Sequence, residues 1–145
     1  LLAESLKRRV VVHNLKSSSA AAAAIVEAGF GQGGIIHAFS GSAEEASAFV
    51  RLGFKIGIGS LLLNPSARKI RKVVQALDLR DMVLETDSPF MLKNEVNTPA
   101  NVRRIAETVA QLRGIAVEEV AAQTERNADR LLEYRKGLPD EPELI

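Results

Sequence analysis

A chain of 145 residues is long enough for one domain with a real core. Its 19 Lys and Arg against 18 Asp and Glu leave no net field that would by itself select nucleic acid or a membrane surface. The absence of cysteine rules out disulfides and thiolate zinc sites and suits a cytoplasmic protein.

No apolar run reaches the roughly 20 residues of a membrane span, and no signal peptide is visible. The chain opens on Leu-Leu-Ala without an initiator Met, as a processed or truncated product would. Residues 1–7 read as the last turns of a helix. Val10, Val11 and Val12 then favour a strand that ends on His13. Polar residues 14–19 form a turn able to cap a helix over 20–28, which Gly29 closes. After the glycine-rich residues 31–34 comes a second short strand, Ile35-Ile36-His37. Ser42 and Glu45 have the spacing of a capping box for a helix to about residue 52, ended by Gly53.

Residues 55–59 form a third strand, closed by Ser60. Asn64-Pro65 reads as the N-cap and first turn of a helix to residue 76. That helix sets Ile70, Val73, Val74 and Leu77 on one side and Arg68, Lys69, Arg71 and Lys72 on the other. The fourth strand is predicted over 82–87 and a loop over 88–96. Thr98-Pro99 begins a long helix with Val102, Ile105, Ala106, Val109 and Leu112 inward, stopped by Gly114. Residues 117–134 are further helix with a break near Thr124. The stretch 137–145, with Pro139 and Pro142, is a loop-like tail outside the domain formed by 1–136.

Strands starting near 10, 35, 55 and 82 with a helix between each pair predict an α/β fold with parallel strands joined by right-handed crossovers. The apolar runs suit strands buried on both faces. In such sheets ligands and metals sit at the C-terminal ends of the strands. Both histidines, His13 and His37, fall at strand ends. So does Asp87, where Leu84-Glu85-Thr86-Asp87 runs into Ser88-Pro89, and Pro89 has no N–H with which to extend a central strand.

Two imidazoles and a carboxylate are donors a divalent ion accepts. Taken singly, a strand-end His is more often a hydrogen-bonded core residue, and an Asp before Ser-Pro often only organises a turn. The equivalent placement of all three favours a metal site. Glu85 has the parity of Asp87, so it points to the same side one layer deeper, where it needs a donor partner and can orient a ligand. Lys16 lies just beyond His13 and suits an anionic substrate as well as it suits solvent. Asn97 suits a substrate hydrogen bond or a helix start. The basic group 68–72, with few aromatic residues nearby, reads as a solvated helix face.

His37-Ala38-Phe39-Ser40-Gly41-Ser42, Leu84-Glu85-Thr86-Asp87-Ser88-Pro89, Asn97-Thr98-Pro99 and Asn127-Ala128-Asp129-Arg130-Leu131 resemble, in order, the motifs of the TatD family of metal-dependent hydrolases and deoxyribonucleases. The resemblance runs over about residues 10–132. It implies the C-terminal half of a TIM (β/α)8 barrel, with strands five to eight present. It implies that His13, His37 and Asp87 are metal ligands, with Asp87 also a proton acceptor. Glu85, Lys16, Ser40 and Asn97 would then support the metal or meet substrate. The implied activity is hydrolysis of DNA or another phosphodiester by water activated on divalent ions, whether Mg, Mn or Zn.

Nothing ahead of His13 matches the His-x-His pair and the Glu that the family carries on its first and fourth strands. Four strands alone leave two open edges. The chain is therefore expected to be completed by a missing N-terminal half or a second copy, and to be a weak catalyst by itself. The alternative is a non-catalytic half-barrel, or interaction module, in which His13, His37 and Asp87 merely satisfy one another.

Overall fold

The computed structural model describes residues 2–13, 16–90, 92 and 94–133. The tail expected over 137–145, the capping turn at Asn14 and the end of the last helix lie outside the described residues. In chain order the elements are α1 (Leu2–Ser5), β1 (Val10–His13), α2 (Ser18–Glu27), β2 (Gly34–His37), α3 (Ala43–Arg51) and β3 (Phe54–Ile58). A 3-10 turn Ser60–Leu63, α4 (Arg68–Ala76) and a second 3-10 turn Leu79–Asp81 lead to β4 (Met82–Leu84), α5 (Asn101–Arg113) and α6 (Val117–Glu133).

The four strands form one parallel sheet in the order β1-β2-β3-β4. This is the α/β half-barrel that the alternation predicted. Register places Ile36 beside Ile56 and Ile56 beside Met82, and all three are fully buried against the helices. Phe49, Ile70, Val73, Ile105, Val109 and Val120 meet them from the helix layer. Each such side chain contributes roughly 1.5–3 kcal/mol by leaving water. Gly34 lets β2 close on β1, because a Cβ there would stand 1.8 Å from the Val10 carbonyl oxygen.

The opposite face carries the alternate residues: Val11 and His13, Ile35 and His37, Lys55 and Gly57, then Val83. Lys55 pairs with Asp81 there at 3.6 Å. This face corrects one expectation. Val11 is 69% exposed, so β1 is buried on one side only.

Local chemistry explains most element boundaries. The Ser42–Glu45 capping box is present on α3, with Glu45 N–H donating to Ser42 Oγ at 3.2 Å. The Ser18 hydroxyl, followed by the Ser42 donors, holds the Glu45 carboxyl below its ordinary pKa. Gly114, at φ +66°, closes α5 in the left-handed conformation.

Four boundaries differ from the sequence reading. Asn64 does not cap α4: its Oδ1 accepts from Ser66 N–H at 2.9 Å, forming a local turn, and the helix begins only at Arg68. The fourth strand ends at Leu84 and not at residue 87, because β3 pairs no further than Ile58 and then turns away. Helix α5 begins at Asn101 and not at Thr98-Pro99, which form a turn whose carbonyls accept from Asn101 and Val102 N–H. Helix α6 runs unbroken through Thr124, whose hydroxyl donates back to the Val120 carbonyl at 2.9 Å and so needs no break.

Asn127 ties α6 to the sheet. It is 1% exposed, and its Nδ2 donates to Leu79 O at 2.9 Å and Met82 O at 2.7 Å. Asn127→Ala strands two carbonyls at the entry to β4. We expect a loss of about 2–4 kcal/mol in urea denaturation with the fold retained. A loss under about 0.5 kcal/mol, the level of an ordinary surface change, would contradict this role.

Candidate metal centre

His13 and His37 are register partners on neighbouring strands, so both rings leave the same face of the sheet at the same height. Their centroids are 4.8 Å apart and the planes are inclined by 24°, a stacked pair. His13 is exposed at the β1 edge, and His37 is 19% exposed.

Glu85 lies just past β4, where its N–H still donates to Ile58 O at 3.0 Å. Its carboxylate crosses the sheet over β3 to reach β2. Oε2 stands 2.9 Å from His37 Nδ1, and Oε1 accepts from the Ala38 N–H. The crossing depends on Gly57, which lies between these strands. A Cβ there would come within 2.7 Å of the Glu85 carboxyl atoms. Ala38, whose N–H donates to Glu85, adopts φ +48°, a left-handed conformation that non-glycine residues seldom take.

A carboxylate on Nδ1 fixes the imidazole tautomer with its proton there, which leaves the Nε2 lone pair outward. That Nε2 faces Asp87 Oδ1 at 3.7 Å. The separation is too long for a hydrogen bond, but it is shorter than two metal–ligand bonds of about 2.1 Å laid end to end. A cavity of about 10 Å³, the scale of one water, is bordered by His37, Gly59, Ser60, Leu61, Glu85 and Asp87. The donor pair thus fits one small cation. Among the described residues no group of three or more His, Cys, Asp or Glu is arranged to hold an ion, and His37 and Asp87 are a pair of donors facing one another.

The other residues singled out from sequence fall around it. Lys16 is exposed beyond β1, with φ +55°. Ser40 is exposed after β2. Asn97 is 1% exposed: Nδ2 donates to Ser60 Oγ at 2.9 Å and Phe90 O at 2.8 Å, while Oδ1 accepts from Asn101 at 2.8 Å. Both Nδ2 protons and one Oδ1 lone pair of Asn97 are thus taken up inside the protein. It fastens the loop after Asp87 to the end of β3. Gly57, Ala38 and Ser60 escaped the sequence reading. The signal for Gly57 was a lone glycine between Ile56 and Ile58 inside a strand, a mark of close approach.

The description "TatD related DNase" covers a family model that matches residues 1–133. The chain belongs to this TatD family. It is 31% identical over 135 residues to the uncharacterized metal-dependent hydrolase YabD of Bacillus subtilis, covering 90% of this chain and 53% of YabD. It is 33% identical over 124 residues to YjjV of Escherichia coli K12, covering 83% and 48%. The crystal structure of YjjV superposes with TM-score 0.82 at 30% identity, over 90% of this chain and 52% of that one. A TatD-family hydrolase from Entamoeba histolytica shares the fold, with TM-score 0.78 at 20% identity over 90% and 52%. The TatD chain described here thus spans about half the length of these relatives. No helix among its described residues is long and apolar enough to cross a membrane.

Proposed function

We propose that this chain carries one part of a divalent-metal centre that hydrolyses phosphodiester bonds, with DNA as the substrate. The observation that carries the reading is the row Glu85, His37, Asp87, in which one carboxylate orients the imidazole and a second faces its remaining nitrogen at 3.7 Å. Family membership and the relatives' description as metal-dependent hydrolases support it.

His37 and Asp87 would hold the cation, and the exposed His13 ring, stacked on His37, would add a donor by turning toward it. A divalent ion held there would supply Lewis-acid polarisation of the phosphate and a water of lowered pKa. Asp87, 43% exposed on its side chain, would take the proton of the attacking water. Mg, Mn and Zn all suit this mixed nitrogen and oxygen donor set.

We further propose that the barrel is completed by a segment equivalent to the other half of the relatives, or by a second copy. Among the described residues β1 and β4 each pair on one side only, and Val11 stands exposed on the inner face. A cytoplasmic setting is consistent with a cysteine-free chain.

Thermal melting with added Mn or Zn tests the site. A bound ion at 100 times its Kd raises stability by about 2.7 kcal/mol, reversed by chelator. No response would favour the non-catalytic module, whose support is the lack of a three-donor group among the described residues. Hydrolysis by the 145-residue chain alone is expected to be weak or absent, and robust chelator-sensitive nuclease activity from it would refute the incomplete site.

A further inference from the structure

We propose that the cleft between the loops after β3 and β4 binds the strand flanking the cleaved phosphodiester, with Arg104 as a phosphate contact held in reserve. This rests on the hydrolase reading above for what the strand is, and on separate residues for where it lies. The cleft has a volume of about 690 Å³ and is lined by Leu61, Leu63, Pro65 and Leu92 with Asn64 and Arg104 among its polar residues. Such a volume is of ligand-binding size.

Three observations connect it to a nucleic-acid strand. First, the cleft neighbours the candidate metal centre, because Ser60 and Leu61 line both it and the small cavity at His37 and Asp87. Second, its apolar residues offer flat surface to a base or sugar, and Asn64 offers hydrogen-bonding groups.

Third, the cations are placed against helix electrostatics. Helix N-termini favour acids, and α3 obeys with Glu44 and Glu45 in its first turn. Helices α4 and α5 have no acid there. Instead the exposed Arg68 and Lys69 begin α4, a few residues after the Pro65 wall, and Arg104 lies in the first turn of α5. In a parallel α/β unit both helix starts lie on the rim where the strands end. Cations that are unfavourable to the helix yet gathered on that rim suit a row of phosphates.

Arg104 is about half exposed and is held by Glu95 Oε1 at 2.9 Å and Asn101 Oδ1 at 3.0 Å. A phosphate arriving in the cleft would replace Glu95 as its partner. Removing Glu95's charge should therefore strengthen binding, an effect that damage to the fold would not imitate.

The test is fluorescence anisotropy with labelled single-stranded DNA and RNA oligonucleotides, in EDTA so that no cleavage occurs. We expect Glu95→Gln to tighten binding about 2- to 5-fold. Arg104→Gln and the exposed pair Arg68→Glu/Lys69→Glu should weaken it about 5-fold or more. Each lost phosphate contact should lower the salt slope by about 0.7. Equal loss on DNA and RNA assigns the contacts to the backbone, and loss on one alone to that polymer's sugar; both support the cleft. No binding by the parent chain, or an unchanged affinity in Glu95→Gln and the charge variants, would overturn it. A protein that binds in this pattern but whose melting does not respond to Mn or Zn sinks the hydrolase reading and leaves the cleft standing. A protein stabilised by Mn or Zn while these variants bind oligonucleotide like the parent does the reverse.

Discussion

Asp87→Asn is expected to abolish metal-dependent turnover, by about 100- to 10,000-fold, in whatever assembly is competent for it. The amide of Asn neither accepts a proton at neutral pH nor matches a carboxylate as a ligand. In the 145-residue chain the same change should erase the rise in melting temperature with Mn or Zn. Stability without metal should stay within about 0.5 kcal/mol, since the side chain is 43% exposed. The loop should also keep its shape, because the Phe90 N–H donates to the Asp87 backbone carbonyl, which the change leaves in place. Turnover that survives at the parent rate would remove Asp87 from the chemistry.

Gly57→Ala is expected to damage the centre without touching a donor. The new methyl would occupy space within 2.7 Å of the Glu85 carboxyl, so Glu85 must withdraw from His37 and from the Ala38 amide. Metal affinity, measured by calorimetry, should fall about 10- to 100-fold, the usual cost of losing a carboxylate behind a ligating histidine. Glu85→Gln should fall in the same range. The double variant should lose no more than the worse single, because both act through one contact. Additive losses would show that Gly57 acts by another route. The His37 side-chain nitrogen shifts in NMR supply a readout without metal: both single variants should redistribute the proton between Nδ1 and Nε2, and the parent should not.

The fold was legible because its signals are local. Three valines before His13, the Ser42–Glu45 spacing and the Gly114 stop each act within a few residues, and each element stands where they put it. The placement of Glu85 beside His37 was also within reach, since parity alone sends Glu85 to the inner face. What sequence withheld depends on sheet order and register. Gly57 matters only because β3 lies between the strands of His37 and Glu85. Strand β4 stops early only because Ile58 is the last partner β3 offers. Asn64 and Asn97 are residues whose side chains suit several local bonds, and tertiary neighbours choose among them. Asn64 closes a turn instead of a helix, and Asn97 is spent on Ser60, Phe90 and Asn101.

The division of the sheet into two faces has a further consequence. Ile36, Ile56 and Met82 anchor the molecule from one side, while His37, Gly57 and Glu85 work on the other, one strand position or so away. Selection can thus rewrite the working side residue by residue with little penalty to folding, and the same backbone becomes a scaffold on which new specificities are cheap to try. Diversifying Val11, Ile35 and Lys55 together would be a natural library with which to exploit it.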